Sequence, residues 1–368
     1  MSLRKQWSFL GTSAACALGL CVVLSAACRA EENNNPSGGD GGSGAQGPAG
    51  PGPGGAGGTG GAGGAGGAGG SGGGATCDGK EVTIEQITNS KASGAVGKGT
   101  PVKVKGAVAM SHKFLVSQSN AGNCLWGVFV SAPGLAETKE YSGVMVLSYG
   151  VPASIPPGGN KAYCPKLSNY FEGEPLPGDA IPDDVKPGDV LDITGVADSF
   201  LLAACANEMN GSKVPQTQIA FTCAVERTGT APVPAPHAFT DAAEVAKLGS
   251  PTDADFHVRW GGVKVRVSNV KPVPQPNPAP MGMGEVVVGD FGVIKLQDSN
   301  VEVGDKIYYR GYEQNDCYAA PVFADVNMTF NAIDGFSYLS YCTWGLQPNA
   351  KCTDFDPKSE DCGSLTCQ

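Results

Sequence analysis

Two stretches of the chain share one pattern of apolar and polar positions. Residues 187–195 read PGDVLDITG, and residues 303–311 read VGDKIYYRG. Both contain Gly-Asp, then place apolar residues at every second position and end in Gly, which is the alternation of a strand buried on one face. A predicted strand with a similar residue pattern precedes each copy, VKVKGAV over 102–108 and VKVRVSNV over 263–270. The recurrence predicts two small β modules.

Short strands and two helices fill out these modules. One helix is predicted over 82–90 and another over 240–249, where Thr240 can cap the first turn and Gly249 can end the last. The Pro-rich residues 151–184 cannot enter a sheet, because each Pro lacks an N–H donor, so they predict a surface loop held by Cys164. The further strands are predicted over 113–119, 124–131 and 142–150 in the first module and over 285–298 and 320–330 in the second.

The N-terminal residues have the pattern of a bacterial export signal. Basic residues precede a short apolar run over 9–24, and small residues lead from this run to Cys28. The pattern predicts a lipoprotein in which Cys28 carries the lipid. Cleavage without lipid is the alternative, because Ser25 stands where Leu is commoner. By resemblance to lipoprotein sorting rules, Arg29 favours the outer membrane, at the cell surface or on the periplasmic face.

Residues 29–76 consist almost wholly of Gly, Ala, Ser and Pro. Such a segment has no apolar surface to bury, so we expect a disordered tether with a reach on the order of 40 Å. The chain then has five predicted segments: a lipoprotein signal peptide over 1–28, the linker over 29–76, a first β domain over 77–230, a connector helix with a second β domain over 231–335, and a Cys-rich appendage over 336–368.

The chain is acidic, which bears on the partners it can take. Its 25 basic and 35 acidic residues give a formal net charge of −10. Removal of residues 1–27 takes away two basic residues and no acidic ones, so the net charge of the mature chain is −12. Nucleic acid is a poor default partner for such a chain, because nucleic-acid binding depends on Lys and Arg that neutralise phosphates.

The cysteines predict a disulfide framework. Of 13 cysteines, ten lie beyond Cys28, an even number in an exported chain. Five fall in the first module and five beyond it, so complete pairing requires a bond between the modules or their flanks. A zinc site at the C-terminal cysteines is the weaker alternative, since they lack close Cys-x-x-Cys pairs and a nearby histidine. The ten are Cys77, Cys124, Cys164, Cys205, Cys223, Cys317, Cys342, Cys352, Cys362 and Cys367.

The order of features resembles a known family. A leading TIEQI, a strand ending in Gly-x-Val, the stretch KFLVSQS…GVFV and then V-x-PGD-x-L-x-ITG resemble the OB-fold-like regions of bacterial extracellular nucleases and related secreted proteins. GTAPVPAPHAFTDAAEVA followed by RWGGVKVRVSNV resembles the junction into a second such region. The resemblance implies an all-β chain with two tandem OB-like small barrels. The separate catalytic domain of the nucleases has no counterpart, because nothing after Phe330 is long enough to form one.

The modules lack the residue patterns of an active site. Histidine is scarce: we expect His112 half-exposed beside a turn, His237 in the connector and His257 at a strand entry. No Gly-x-Ser-x-Gly nucleophile elbow occurs in the modules, and the cysteines are better used in disulfides. We therefore expect neither an enzyme nor a cofactor.

Acidic residues near the C-terminus raise the question of calcium. Lys358 and Ser359 stand where an EF-hand loop needs an oxygen ligand and Gly, so we expect a solvated acidic tail and no metal. Asp189 and Asp305 of the repeated strands are expected to serve tight turns through bonds to backbone amides. The acidic group comprises Asp354, Asp356, Glu360 and Asp361.

Aromatic side chains are the predicted ligand-binding residues. The resemblance implies a ligand across the second and third strands, near Phe114, Trp126 and Phe129. Alternation requires at least one of these to point outward unless a second layer covers the barrel; the alternative is that all three are core. A further aromatic group in the long loop is expected to contact a glycan or protein surface, or to pack over one open end of the barrel. It comprises Tyr163, Tyr170 and Phe171.

These features predict a noncatalytic, surface-anchored lipoprotein whose modules bind a protein or a polysaccharide. One alternative is a nucleic-acid-binding accessory protein of an extracellular nuclease system, which needs local basic faces despite the overall acidity. Another is a structural surface-assembly or spacer protein with no soluble ligand. Two sets of residues would form the basic faces: Lys103, Lys105 and Lys113, or Lys264, Arg266 and Arg259.

Overall fold

A computed structural model describes much of the chain from Cys77 onward. All described residues belong to one compact unit, Ser37–Gln368. The predicted signal peptide, Cys28, the linker and most of the Pro-rich loop lie outside the described residues. The described residues are 77–118, 124–150, 179–206, 208, 211–270, 272–273, 286–288, 294–296, 299–303, 306–309, 322–323, 329–340, 342–348 and 352–358.

The first module is a seven-stranded sheet that closes into a barrel. Its strands are β1 (Lys80–Glu81), β2 (Pro101–Ala109), β3 (Phe114–Gln118), β4 (Cys124–Ser131), β5 (Gly143–Gly150), β6 (Asp189–Phe200) and β7 (Gln216–Thr230). They follow the order β1-β2-β6-β7-β5-β4-β3, and β2 also pairs with β4. The circuit of β2, β6, β7, β5 and β4 therefore returns to its start. Five strands are the number in a small OB-like barrel.

Alternation along these strands separates the inside of the barrel from the outside, as the sequence pattern predicts. Val104, Val130, Val146 and Ile193 are buried and pack together inside. Asp189 stands at the start of β6, where its Oδ2 accepts a hydrogen bond from the backbone N–H of Lys186 at 3.0 Å. The predicted turn role of Asp189 is confirmed, whereas Asp305 lies outside the described residues.

In the described residues, the second module contains one larger and one smaller sheet. The larger sheet runs β10-β11-β12-β17-β16-β9-β8, with β18 paired to β16, and the smaller runs β13-β14-β15. The bounds are β8 (His237–Ala238), β9 (Lys264–Val270), β10 (Pro272–Val273), β11 (Val286–Val288), β12 (Ile294–Leu296), β13 (Ser299–Val303), β14 (Lys306–Tyr309), β15 (Val322–Phe323), β16 (Phe330–Ser340), β17 (Thr343–Gln347) and β18 (Phe355–Asp356).

The two copies of the repeated sequence take different places in the described sheets. In the first module β6 pairs directly with β2. In the second, β14 pairs with β13 and β15, while β9 pairs with β8 and β16. The all-β class is confirmed, and tandem OB-like barrels stay a prediction. The boundary expected after residue 335 falls inside β16, and β17 also lies beyond it, so the expected appendage supplies strands of the sheet.

Three short α-helices accompany the strands in the described part of the chain. α1 (Ile84–Thr88) matches the predicted helix, and α2 (Ala242–Lys247) begins after Asp241, whose carboxylate caps it in place of the expected Thr240. α3 (Ala254–Trp260) was not predicted. Among the described residues, no helix has the length and apolar composition to span a membrane.

The outer face of the barrel packs against the second sheet. Tyr141 in the β4–β5 loop donates its N–H to the carbonyl of Arg259 at 2.7 Å. A Cβ on Gly143 would lie 2.7 Å from Cα of Val263, so glycine permits the two backbones to approach. A disulfide between Cys205 and Cys342 joins the modules, as the cysteine count requires.

A second disulfide, Cys77–Cys223, lies within the first module. Cys124 and Cys352 are also disulfide-bonded. The described cysteines therefore fit the predicted framework, and disulfides are typical of an oxidising compartment. The remaining predicted disulfide cysteines, Cys164, Cys317, Cys362 and Cys367, lie outside the described residues.

Candidate functional site

The predicted ligand face is covered by the second sheet. Phe114, Trp126 and Phe129 are all buried. Phe336 of β16 stacks on Phe129 with ring centroids 4.0 Å apart, and Tyr338 meets the same ring edge-on at 5.9 Å. This corrects the expectation that one of the three aromatics is a ligand-binding residue, because a second layer lies where the ligand was expected. Tyr163, Tyr170 and Phe171 lie outside the described residues.

A buried ion cluster holds the residues that lead into β6 against the barrel. The ammonium of Lys113 contacts the carboxylates of Asp179 and Asp183 and donates a hydrogen bond to the carbonyl of Ile181 at 2.9 Å. It lies 5.1 Å from the ring centroid of Trp126. Lys113 is therefore a buried structural residue, which corrects its expected place on a basic surface.

Two of the other predicted basic residues form ion pairs with carboxylates, one of them at the surface. Lys105 contacts Glu81 at 2.6 Å. Arg266 binds Asp334 through two nitrogens, at 2.6 and 2.8 Å, and this pairing raises the pKa of the guanidinium. Lys103 is half-buried on β2. The proposed basic faces thus offer little free positive charge to a phosphate backbone.

The remaining basic residues, Arg259 and Lys264, also pair with carboxylates, two of which lie far away in the sequence. Arg259 contacts Glu140 and Asp255. Lys264 contacts Asp354 at 2.6 Å, and Asp354 is buried. Asp354 therefore belongs to a buried ion pair and not to a solvated tail, whereas Glu360 and Asp361 lie outside the described residues.

The histidines serve packing. His112 is half-buried, and burial lowers its pKa. His237 stacks on Trp260 at 4.7 Å and contacts Glu137 through Nδ1 at 2.8 Å. His257 lies in α3, which corrects the expected strand entry.

His257 is buried and stacks on Trp344 at 4.2 Å. Its Nε2 lies 2.6 Å from the carbonyl oxygen of Ser250. Because a carbonyl only accepts hydrogen bonds, Nε2 carries the proton and Nδ1 is unprotonated in the neutral ring. Burial lowers its pKa to about 4. In the described part of the chain, no three His, Cys, Asp or Glu side chains cluster to hold a metal.

The outer surface of the barrel carries an exposed aromatic pair instead. Tyr149 at the end of β5 is 47 % exposed and Phe221 on β7 is 62 % exposed. Their rings stack with centroids 5.5 Å apart and an interplanar angle of 28°. Met145 and Leu147 precede Tyr149 on the same outer face of β5 and are covered by the second sheet. The pair therefore begins where this cover ends.

A bulge in β7 turns Phe221 outward. The register pairs Ala220 with Val196 and Ala224 with Thr194, so residues 221–223 lie opposite Gly195 alone. Phe221 has φ +49°, a conformation that L-residues with large side chains rarely adopt. A Cβ on Gly195 would lie 2.8 Å from Cγ2 of Ile219, so the final Gly of the repeated motif leaves room for the bulge.

Polar groups lie close to the pair. Asp198 on β6 accepts a hydrogen bond from Nε2 of Gln218 at 2.9 Å and contacts Nζ of Lys98 at 2.9 Å. Burial, and then the charge of Asp198, raise the pKa of Tyr149. The hydroxyl of Thr222 donates to the carbonyl of Leu147 at 2.8 Å and fixes the bulge to β5. The site is thus an aromatic platform with the partly exposed carboxylate of Asp198 nearby.

Sequence reasoning misses this platform because it assumes unbroken alternation. Ile219 points into the barrel, so a regular strand would place Phe221 inside as well. The signal that could have found the bulge is Gly195, since Gly in a strand often marks a bulge or a close approach of backbone.

Compared with known proteins, the chain matches no family model, no curated protein and no solved structure.

Proposed function

We propose that the protein is a noncatalytic binding protein of the bacterial surface, and that Tyr149 and Phe221 form its ligand-binding surface. The observation that carries the proposal is the outward, strained position of Phe221. The partner is a protein or a polysaccharide, which the aromatic pair contacts through its exposed rings.

The energetics of the pair support a functional role. A large residue in the left-handed region costs about 1–3 kcal/mol, and such strain concentrates at functional sites. Leaving a large apolar ring in water also loses the stabilising free energy that its burial would give, about 1.5–3 kcal/mol. The ladder between β6 and β7 continues on both sides of the bulge, so both costs arise locally, at residues 221–223. Ligand contact provides a reason for both.

The alternative functions have less support. Nucleic-acid binding needs unpaired basic side chains, and five of the six candidates form ion pairs. A structural spacer needs no exposed ring on a strained bulge. Surface anchoring through a lipid on Cys28 remains part of the proposal, and the disulfides fit an exported chain. Loss of membrane association in Cys28→Ala would support the anchor, and unchanged association would argue against it.

The test is binding by the full-length protein to immobilised single-stranded DNA, cell-surface polysaccharide and outer-membrane protein, at low and physiological salt. The variant is Phe221→Asn, because Asn is the residue that the left-handed region tolerates best after Gly. The matched control is Val233→Ala, at a side chain that is 42 % exposed.

The expected result is retention on polysaccharide or protein that falls at least tenfold in Phe221→Asn and is unchanged in Val233→Ala. Equal retention of wild type and Phe221→Asn would overturn the assignment of the surface. Retention on DNA that weakens as salt rises would favour the nuclease-accessory function.

A further inference from the structure

The apolar area at the aromatic pair is small. The other exposed large apolar residues among those described are Val233, beside Gly188, and Val258, which lines a separate cleft of about 270 Å³ with Asn89 and Tyr141. A protein interface of standard size buries about 800 Å² on each partner and gathers several anchors around its centre. Tyr149 and Phe221 lie at the edge of the barrel face that the second sheet covers. Their exposed area is large enough to contact one or two rings of a ligand.

The residues directly beside the two rings are uncharged, and one carboxylate lies further out. Leu125 is the cross-strand partner of Tyr149, and Thr222 follows Phe221 on the bulge. Asp198 supplies a carboxylate that accepts hydrogen bonds, and the buried amide of Gln218 holds it in place at 2.9 Å. A sugar ring offers the complementary surface, because its C–H face is apolar and its edge carries hydroxyl groups.

The charge at the site decides between neutral and anionic ligands. Nζ of Lys98 already contacts Asp198 at 2.9 Å and donates to the carbonyl of Ser199 at 2.7 Å. Its positive charge is therefore balanced by a carboxylate close to Tyr149. An anionic polymer would meet that carboxylate, and within the described part of the chain the cation beside it, Lys98, is already paired and offsets little of the repulsion.

We propose that the ligand at Tyr149 and Phe221 is an uncharged polysaccharide, whose sugar rings stack on the aromatic pair while their hydroxyl groups donate to the carboxylate of Asp198. This inference rests on the proposed function and specifies its partner. Asp198 then selects against anionic chains, and its replacement should relax that selection by leaving the ammonium of Lys98 unpaired.

The experiment is native electrophoresis of the full-length protein through gels that contain dextran, laminarin or xylan as neutral polymers, or alginate or polygalacturonate as anionic polymers. We expect retardation by at least one neutral polymer and by neither anionic one. Phe221→Asn should weaken the retardation at least tenfold in apparent affinity, and Val233→Ala should leave it unchanged. Asp198→Asn should gain retardation by an anionic polymer.

The other possible outcomes distinguish failure of this inference from failure of the proposed function. Phe221-dependent retardation by alginate or polygalacturonate in the wild type would overturn the selection against charge and leave the binding surface in place. Phe221-dependent binding of a protein, with no retardation by any polysaccharide, would overturn the polysaccharide assignment alone. Binding that is equal in wild type and Phe221→Asn would overturn both.

Discussion

Phe336 of β16 lies almost parallel to Phe129 of β4, with an interplanar angle of 6° and ring centroids 4.0 Å apart. Both rings are fully buried. The contact joins the second sheet to the outer face of the barrel, so it couples the stability of the two modules.

Phe336→Ala should lower the free energy of unfolding by about 3–5 kcal/mol, because it leaves a cavity in a closed aromatic contact. Urea unfolding followed by circular dichroism measures the loss. Phe221→Ala makes the same chemical change at a ring that is 62 % exposed and should cost much less. Equal losses in the two variants would contradict the assignment of Phe336 to the core.

Replacing both cysteines of the bond between the modules, as Cys205→Ala/Cys342→Ala, should lower the free energy of unfolding by about 2–5 kcal/mol. The loops closed by Cys205–Cys342 and Cys77–Cys223 are similar, with sequence separations of 137 and 146. Of these two bonds, Cys205–Cys342 is the one that joins the modules, so its removal should separate their unfolding transitions.

Fluorescence of Trp126 in the barrel and of Trp344 in the second sheet, each in a variant that lacks the other tryptophans, would show whether the transitions separate. Cys77→Ala/Cys223→Ala is the control and should keep the two transitions together. A single transition in both double variants would show that packing alone couples the modules.

Gly195→Ala should destabilise the protein by about 1–3 kcal/mol and reduce ligand binding, although Gly195 is not part of the aromatic pair. Its Cβ would meet Ile219 at 2.8 Å and the carbonyl of Ala220 at 3.0 Å, so the bulge must shift. Gly229→Ala on the neighbouring strand β7 is the control, because a Cβ there has no neighbour within 4 Å. Similar thermal midpoints for the two variants would contradict the role of Gly195.

His257 should make stability depend on pH between about 6.5 and 4. Its pKa in the folded protein is about 4 because of burial, below the unfolded value of about 6.5. The unfolded chain therefore binds more protons in this range, so the contribution of His257 to stability is present above about pH 6.5 and is lost as the pH falls through 4.

The expected loss is about 3 kcal/mol from pH 7 to pH 4. It is measured as the difference in unfolding free energy between wild type and His257→Phe, which keeps a ring against Trp344 and does not titrate. A difference that stays constant with pH would contradict the assignment.

Lys113→Met should lower the free energy of unfolding by about 3–5 kcal/mol, because it removes the cation that the buried carboxylates of Asp179 and Asp183 contact. Urea unfolding at pH 7 measures this loss. Lys105→Met removes the same charge from an exposed pair with Glu81 and should leave the midpoint unchanged. Equal midpoints for the two variants would show that the buried cluster does not hold the fold.

The strands of the barrel could be predicted because one inward face gives a local signal. Val102, Val104, Ile193 and their neighbours alternate with polar residues over short distances, and the Thr83 capping box marks the start of α1 in the same local way. These features depend on residues only a few positions apart.

The features that could not be predicted depend on partners far away in the sequence. The burial of Phe129 requires Phe336, and the pairing of Lys264 requires Asp354, 90 positions on. The exposure of Phe221 depends on one Gly in the neighbouring strand. Sequence alternation alone assigns such residues to the wrong side, because it does not show which sheet covers which face or where a ladder gains extra residues.

The Cys77–Cys223 disulfide also determines how mechanical load would travel through the molecule. Any pull transmitted along the chain from residue 76 reaches Cys77 first and passes through a covalent bond to Cys223 on β7. Phe221 lies two residues before Cys223 on that strand. A ligand held at Phe221 under tension would therefore load a short covalent path and the β7 ladder, while α1, β2 and the second sheet would carry little of the force.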